Sequence, residues 1–134
     1  MNLVFDSCAL IAYLHNENGA DVTESLLQDN SNICYVHSIN LCEVYYEARR
    51  RGGEDTAQIA ISALRQAGIQ SREDMDDEIW QSAGQIKADF RRVSLADCFC
   101  VALGNRLDAE VITADRHEME ALANAKVCKI NFIR

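Results

Sequence analysis

Short apolar runs alternate with amphipathic stretches along most of the chain. Residues 2–5 (Asn-Leu-Val-Phe) predict a short strand. Asp6-Ser7 then supplies a helix cap, and residues 8–15 continue as an apolar helix until Asn18-Gly19 breaks it. An amphipathic helix is predicted over 20–28 and a second, β-branched and aromatic strand over 33–37. Ser38 suits the N-cap of a long helix running to about Arg51, which Gly52-Gly53 would stop. A helix over 56–67 is closed by Gly68, and 69–71 form a short strand. Residues 74–90 are predicted helical, with Ile79, Ala83, Ile86 and Phe90 on one face. Ser94 caps a helix that runs through Gly104. A strand at 111–113, a helix at 116–123 and a strand at 127–132 complete the pattern. Strands alternating with helices imply an α/β protein whose parallel sheet has helices on both faces. Ligands of such sheets bind outside the carboxyl ends of the strands.

The composition limits the class. At 134 residues, 49% of them hydrophobic and 25% charged, the chain suits one folded domain rather than a disordered segment. No apolar run approaches the ~20 residues of a membrane span, and the first residues have no basic start, so a cytoplasmic location is expected. The six cysteines include no CxxC pair, which argues against a structural zinc. Most of them sit among apolar residues and are expected to act as small core side chains. The net charge of −8 opposes nucleic-acid binding by bulk charge, because phosphates are held by Lys and Arg. A nucleic-acid role would need a local basic patch, a bridging cation or a basic partner.

Four acids stand where acids are costly or strategically placed. Asp6 follows the first strand directly, and Asp115 follows the 111–113 strand after one residue. Either alone could be a helix cap. Asp97 lies in Leu95-Ala96-Asp97-Cys98-Phe99-Cys100-Val101, a helix apolar nearly all round. A carboxylate buried there must be paired or bind a metal. Glu43, in Ile39-Asn40-Leu41-Cys42-Glu43-Val44, is expected to be buried too, with an ion pair to one of Arg49–Arg51 as the alternative. A single cause would explain all four: a hard divalent cation such as Mg2+ or Mn2+, which takes oxygen ligands. Clustered acids would then attract phosphate through the ion, and the chemistry that follows is phosphodiester hydrolysis.

At these residues the sequence resembles the PIN-domain family, specifically VapC-type toxins of bacterial toxin–antitoxin pairs. The matching segments are Leu3-Val4-Phe5-Asp6-Ser7-Cys8-Ala9-Leu10, Asn40-Leu41-Cys42-Glu43-Val44, Leu95-Ala96-Asp97-Cys98 and Ile112-Thr113-Ala114-Asp115. The resemblance implies a three-layer α/β/α sandwich with a mostly parallel central sheet, formed by residues 1–134 as a single nuclease domain. It also implies Mg2+- or Mn2+-dependent endoribonuclease activity, a cognate antitoxin and a homodimer. Asp6, Asp97 and Asp115 would be metal ligands, and Glu43 would bind metal or orient water. Ser7 and Thr113 match small hydroxyl positions that would support the carboxylates or a water.

The sequence departs from its relatives after the last acid. Arg116-His117-Glu118-Met119 stands where many relatives have an aromatic residue, and Met119 is expected to take over that packing. His117 is expected to be a solvated helix residue. Candidate RNA-binding cations are Arg49–Arg51, Arg91-Arg92 and Arg116, with Arg116 favoured because it adjoins Asp115; the triplet also suits a solvated helix end. The competing reading is a catalytically silent PIN-fold binding or regulatory module. A haloacid-dehalogenase-type phosphatase would need Asp at position 8, which is Cys. A receiver domain would need paired early acids and a late Lys, and a flap-type DNA nuclease would need more elements than this length allows.

Overall fold

A computed structural model describes residues 1–134. Twelve elements follow in chain order: β1 (Asn2–Phe5), α1 (Ser7–Leu14), α2 (Ala20–Gln28), β2 (Ile33–His37), α3 (Ser38–Gly52), α4 (Glu54–Gln66), β3 (Ile69–Arg72), α5 (Asp77–Asp89), α6 (Leu95–Arg106), β4 (Glu110–Thr113), α7 (Arg116–Asn124) and β5 (Lys129–Phe132). The five strands form one sheet in the order β3-β2-β1-β4-β5, and every neighbouring pair is parallel. The strand order reverses between β1 and β4, where a parallel sheet opens a crevice at its carboxyl edge.

The sheet separates two apolar layers, which produces the expected α/β/α arrangement. Alternate residues of a strand face opposite sides. Val4 and Val111 join Ile79, Ala83 and Ile86 of α5, the buried run of α6, and Met119 and Leu122 of α7. Leu3, Phe5, Val36 and Ile112 join Ala9 and Leu10 of α1, Val44 of α3, and Ile61 and Leu64 of α4. Because helices cover both faces, β1 can be apolar at Leu3, Val4 and Phe5, all fully buried. Each fully buried Leu, Ile or Phe contributes about 1.5–3 kcal/mol relative to exposure. Gly104 lets α6 lie close on β4, since a Cβ there would meet the Val111 side chain at 2.7 Å. No helix is long and apolar enough to cross a membrane.

Three expected boundaries move for identifiable reasons. The cap of α3 is His37, whose Nδ1 accepts from the Ile39 N–H at 3.1 Å; Ser38 instead donates its hydroxyl to the Arg72 carbonyl at 3.0 Å. The fifth helix starts at Asp77 with Asp76 as its cap, because Asp74 is engaged by Arg72 at 2.9 Å and Arg106 at 3.0 Å. The fourth helix starts at Glu54, earlier than position 56, after a turn at Gly53 with φ of 90° that only glycine adopts readily. All six cysteines are free; Cys34, Cys98 and Cys100 are buried as expected, whereas Cys42 is exposed.

Candidate functional site

The site begins at the sheet's switch point. Asp6 ends β1, is fully buried, and caps α1 by accepting the Ala9 N–H at Oδ1 (2.9 Å). Its other oxygen accepts the hydroxyl of Thr113, the last residue of the neighbouring strand β4. The same Thr113 hydroxyl oxygen accepts the Asp115 N–H at 3.0 Å, and Asp115 caps α7 through the Glu118 N–H at 3.0 Å. One buried hydroxyl therefore links the two strand-end acids, and each acid is a helix cap and a site residue at once.

The remaining acids come from helices. Asp97 sits in the first turn of α6, only 4% exposed, with its N–H donating to the Ser94 cap hydroxyl at 3.2 Å. The Asn40 amide donates to the Ala96 carbonyl at 3.1 Å and ties α3 to this turn. Glu43 on α3 accepts the Ser7 hydroxyl at 2.9 Å. It is half-buried rather than buried, and its partner is a hydroxyl rather than an arginine. Glu118 of α7 accepts the Ser94 N–H at 3.3 Å, so α7 reaches the start of α6. Asp97, Asp115 and Glu118 each offer a carboxylate oxygen, and these oxygens lie within 4.8 Å of one another. Three oxygens converging in this way fit a hard divalent cation.

The electrostatics support that fit. Burial is the main cause that raises the Asp6 pKa to about 7; the Thr113 and Ala9 hydrogen bonds oppose it, and the Asp115 and Glu43 charges add to it. Burial also raises Asp97, to about 9, followed by the charge of Asp6 and by the hydrogen bond and charge of Glu118. Glu43 is raised by burial and by the Glu118 charge against the Ser7 hydrogen bond. None of Asp6, Glu43, Asp97, Asp115 or Glu118 forms an ion pair with a Lys or Arg. No protein cation neutralises the cluster, so its buried acids release their protons only at raised pH unless an added cation takes their place.

The structure brings together Asp6, Asp97 and Asp115 with the supporting Thr113, and joins Glu43 to Ser7 beside them. Arg116 adjoins Asp115, but its guanidinium lies 4.5 Å from the Phe132 ring centre and its Nε donates to the Arg134 carbonyl at 2.8 Å. Arg49, Arg50 and Arg51 pair with Glu54 and Glu47 on α3 and α4. His117 is exposed, and Met119 is fully buried in the α6 layer as expected. Glu118 is the candidate site residue that sequence reasoning missed. Its signal is Asp115-x-x-Glu118, the spacing of a helix capping box, in which the acid at the third helical position turns back on its own cap. Here it crosses to Ser94 instead.

Fold and site together define a doubly covered parallel α/β protein with an all-carboxylate centre at the switch point. Three similar solved structures share the fold. A chain of VapBC2 from Rickettsia felis, bound to a promoter DNA fragment, aligns with a TM-score of 0.73 at 13% identity, covering 98% of each chain. A chain of DNA-bound VapBC from Salmonella typhimurium gives 0.73 at 16%, covering 100% of this chain and 99% of its own. VapC20 from Mycobacterium tuberculosis, a sarcin-ricin loop cleaving toxin, gives 0.69 at 15%, covering 89% and 94%. No curated protein matches the sequence. The PIN domain family model matches residues 3–125, and the chain belongs to that family.

Proposed function

We propose that this chain is a metal-dependent endoribonuclease and the toxin of a toxin–antitoxin pair, with residues 1–134 forming one nuclease domain. The observation that carries the reading is the convergence of Asp97, Asp115 and Glu118 beside buried Asp6, with no cation among them. Buried Asp6 and Asp97, without a counter-ion, are too costly to serve packing alone. The structural neighbours support the toxin assignment, since VapC20 is a sarcin-ricin loop cleaving toxin.

In this reading Asp97, Asp115 and Glu118 hold Mg2+ or Mn2+, and Asp6 and Glu43 complete the site. Such an ion, when bound, acidifies a water and stabilises charge on the phosphate. Thr113 fixes the rotamer of Asp6 and the position of Asp115 together. Ser7 holds Oε1 of Glu43, which leaves Oε2 to accept a proton from an attacking water. The same reading carries a cytoplasmic location, a homodimer and a cognate antitoxin that silences the site. The test is purified protein with total RNA and tRNA in Mg2+ or Mn2+, then with EDTA. Cleavage should require the ion and vanish in Asp6→Asn. Equal cutting by that variant and the unaltered chain would sink the site, and harmless expression without a partner would sink the toxin assignment.

A further inference from the structure

The cations of this acidic chain are unevenly used. Seven of its 13 Lys and Arg residues are in ion pairs. Arg49, Arg50 and Arg51 face Glu54 and Glu47, and Arg72 and Arg106 face Asp74 and Asp76. Of the six that remain, Lys87, Arg91 and Arg92 lie on the segment that leads into α6, and Arg116 follows Asp115 directly after β4. We infer that Arg91 and Arg92 grip the phosphate backbone of the RNA strand as it approaches the carboxylates, with Arg116 on the opposite flank; this rests on the ribonuclease reading above.

The turn that carries the two arginines is built to hold them still. Phe90 and Val93 close it, with the Val93 N–H donating to the Phe90 carbonyl at 3.1 Å. Val93 is 1% exposed, and Phe90 packs against the α6 layer. The Lys87 ammonium donates to the carbonyls of Arg91 and Val93, both at 2.8 Å. Arg91 and Arg92 are thus the two central residues of a turn fixed from below, and both side chains are exposed. Neither forms a hydrogen bond or ion pair through its guanidinium.

The turn is also near enough. Ser94 donates its N–H to Glu118 and its hydroxyl accepts from Asp97, so the start of α6 touches two of the acids. Arg92 is two residues from Ser94, a backbone span of at most about 7 Å. A guanidinium suits phosphate because its fork donates two parallel hydrogen bonds. On the far flank, Arg116 lies against Phe132 and spends only Nε on the Arg134 carbonyl, so its two terminal nitrogens have no protein acceptor. A chain of net charge −8 with a negative centre repels RNA unless local cations oppose it. Among the cations outside ion pairs, Arg91, Arg92 and Arg116 are those on segments that adjoin the acids.

The test pairs binding with turnover. Binding of a fluorescent RNA oligonucleotide is measured by anisotropy in an Asp97→Asn background across a salt series. Arg91→Ala/Arg92→Ala should weaken binding roughly tenfold at low salt and flatten the log Kd versus log salt slope by about 1.4, two single-strand contacts at about 0.7 each. In the otherwise unaltered enzyme the same pair should raise KM for RNA with kcat unchanged. Arg91→Lys/Arg92→Lys should restore most of the slope. Arg49→Ala/Arg50→Ala, which makes the same change in net charge, should leave Kd and slope within about twofold. Equal weakening by that control, or an unchanged slope in the Arg91/Arg92 variant, overturns the inference. If RNA is bound through Arg91 and Arg92 but never cut, the ribonuclease reading fails and the binding surface stands.

Discussion

Two acidic clusters in this molecule have opposite electrostatics. Asp74 and Asp76, between β3 and α5, are clamped by Arg72 and Arg106 at 2.8–3.0 Å. The hydrogen bonds from Arg72 and then Arg106 hold the Asp74 carboxyl well below its usual range. Asp6 and Asp97, at the switch point, have no such partner and titrate far above it. The first cluster is a fastener that joins β3, α5 and the end of α6. The second opposes folding once its acids ionise, in exchange for a centre that fits a cation. Acidity therefore marks the candidate site in this chain only where cations are withheld.

Substitutions should separate the two. Asp97→Asn should reduce RNA cleavage by on the order of 10²–10³-fold or more, the loss seen when one preorganised electrostatic group is removed. The same change should raise the melting temperature of the metal-free protein above about pH 4, because it removes a buried acid whose ionisation opposes folding. A fall in melting temperature would mean that Asp97 is a structural acid like Asp74. Thr113→Val should cost about 10–100-fold in activity or ion affinity, as loss of an orienting partner does, read by cleavage over a Mn2+ titration.

The pH dependence should have opposite signs in the two clusters. Asp6 and Asp97 have folded pKa values above their unfolded ones, so their contribution is full below about pH 4. It is lost as pH rises through about 7 and about 9. Asp74 has a depressed folded pKa, so its contribution is present above about pH 4 and lost as pH falls. Metal-free protein should melt progressively lower from pH 5 to pH 9, and Asp97→Asn should flatten that slope. A melting temperature that rises over this range would contradict the assignment. The smallest effect is expected at the fastener. Arg106→Ala should lower the urea midpoint slightly and leave the kcat of RNA cleavage within about twofold.

Much of this was legible in the chain. The alternation of runs gave strand and helix order, and Asp97 announced itself by lying in an apolar helix. Asp6 and Asp115 are both helix caps, and no local pattern distinguishes such a cap from one that also belongs to an acid cluster. Glu43 misled because α3 is apolar around it while its own position opens to the rim. Glu118 stayed hidden because an acid in the first turn of a helix is an ordinary feature. Only the fold shows that its carboxylate meets Ser94 and Asp97 from another helix. The cap at His37 was invisible for a similar reason: the serine beside it was drawn away to the Arg72 carbonyl, a partner on the neighbouring strand.

The hydroxyl bridge from Thr113 to Asp6 spans 107 positions of sequence. A chain is made from its N-terminus, so Asp6 emerges early and waits for almost everything else. A nascent or prematurely terminated product that lacks β4 and α7 also lacks Thr113, Asp115 and Glu118. If the chain is the nuclease proposed above, partial copies should therefore be inert, because its acid cluster is complete only near the end of synthesis.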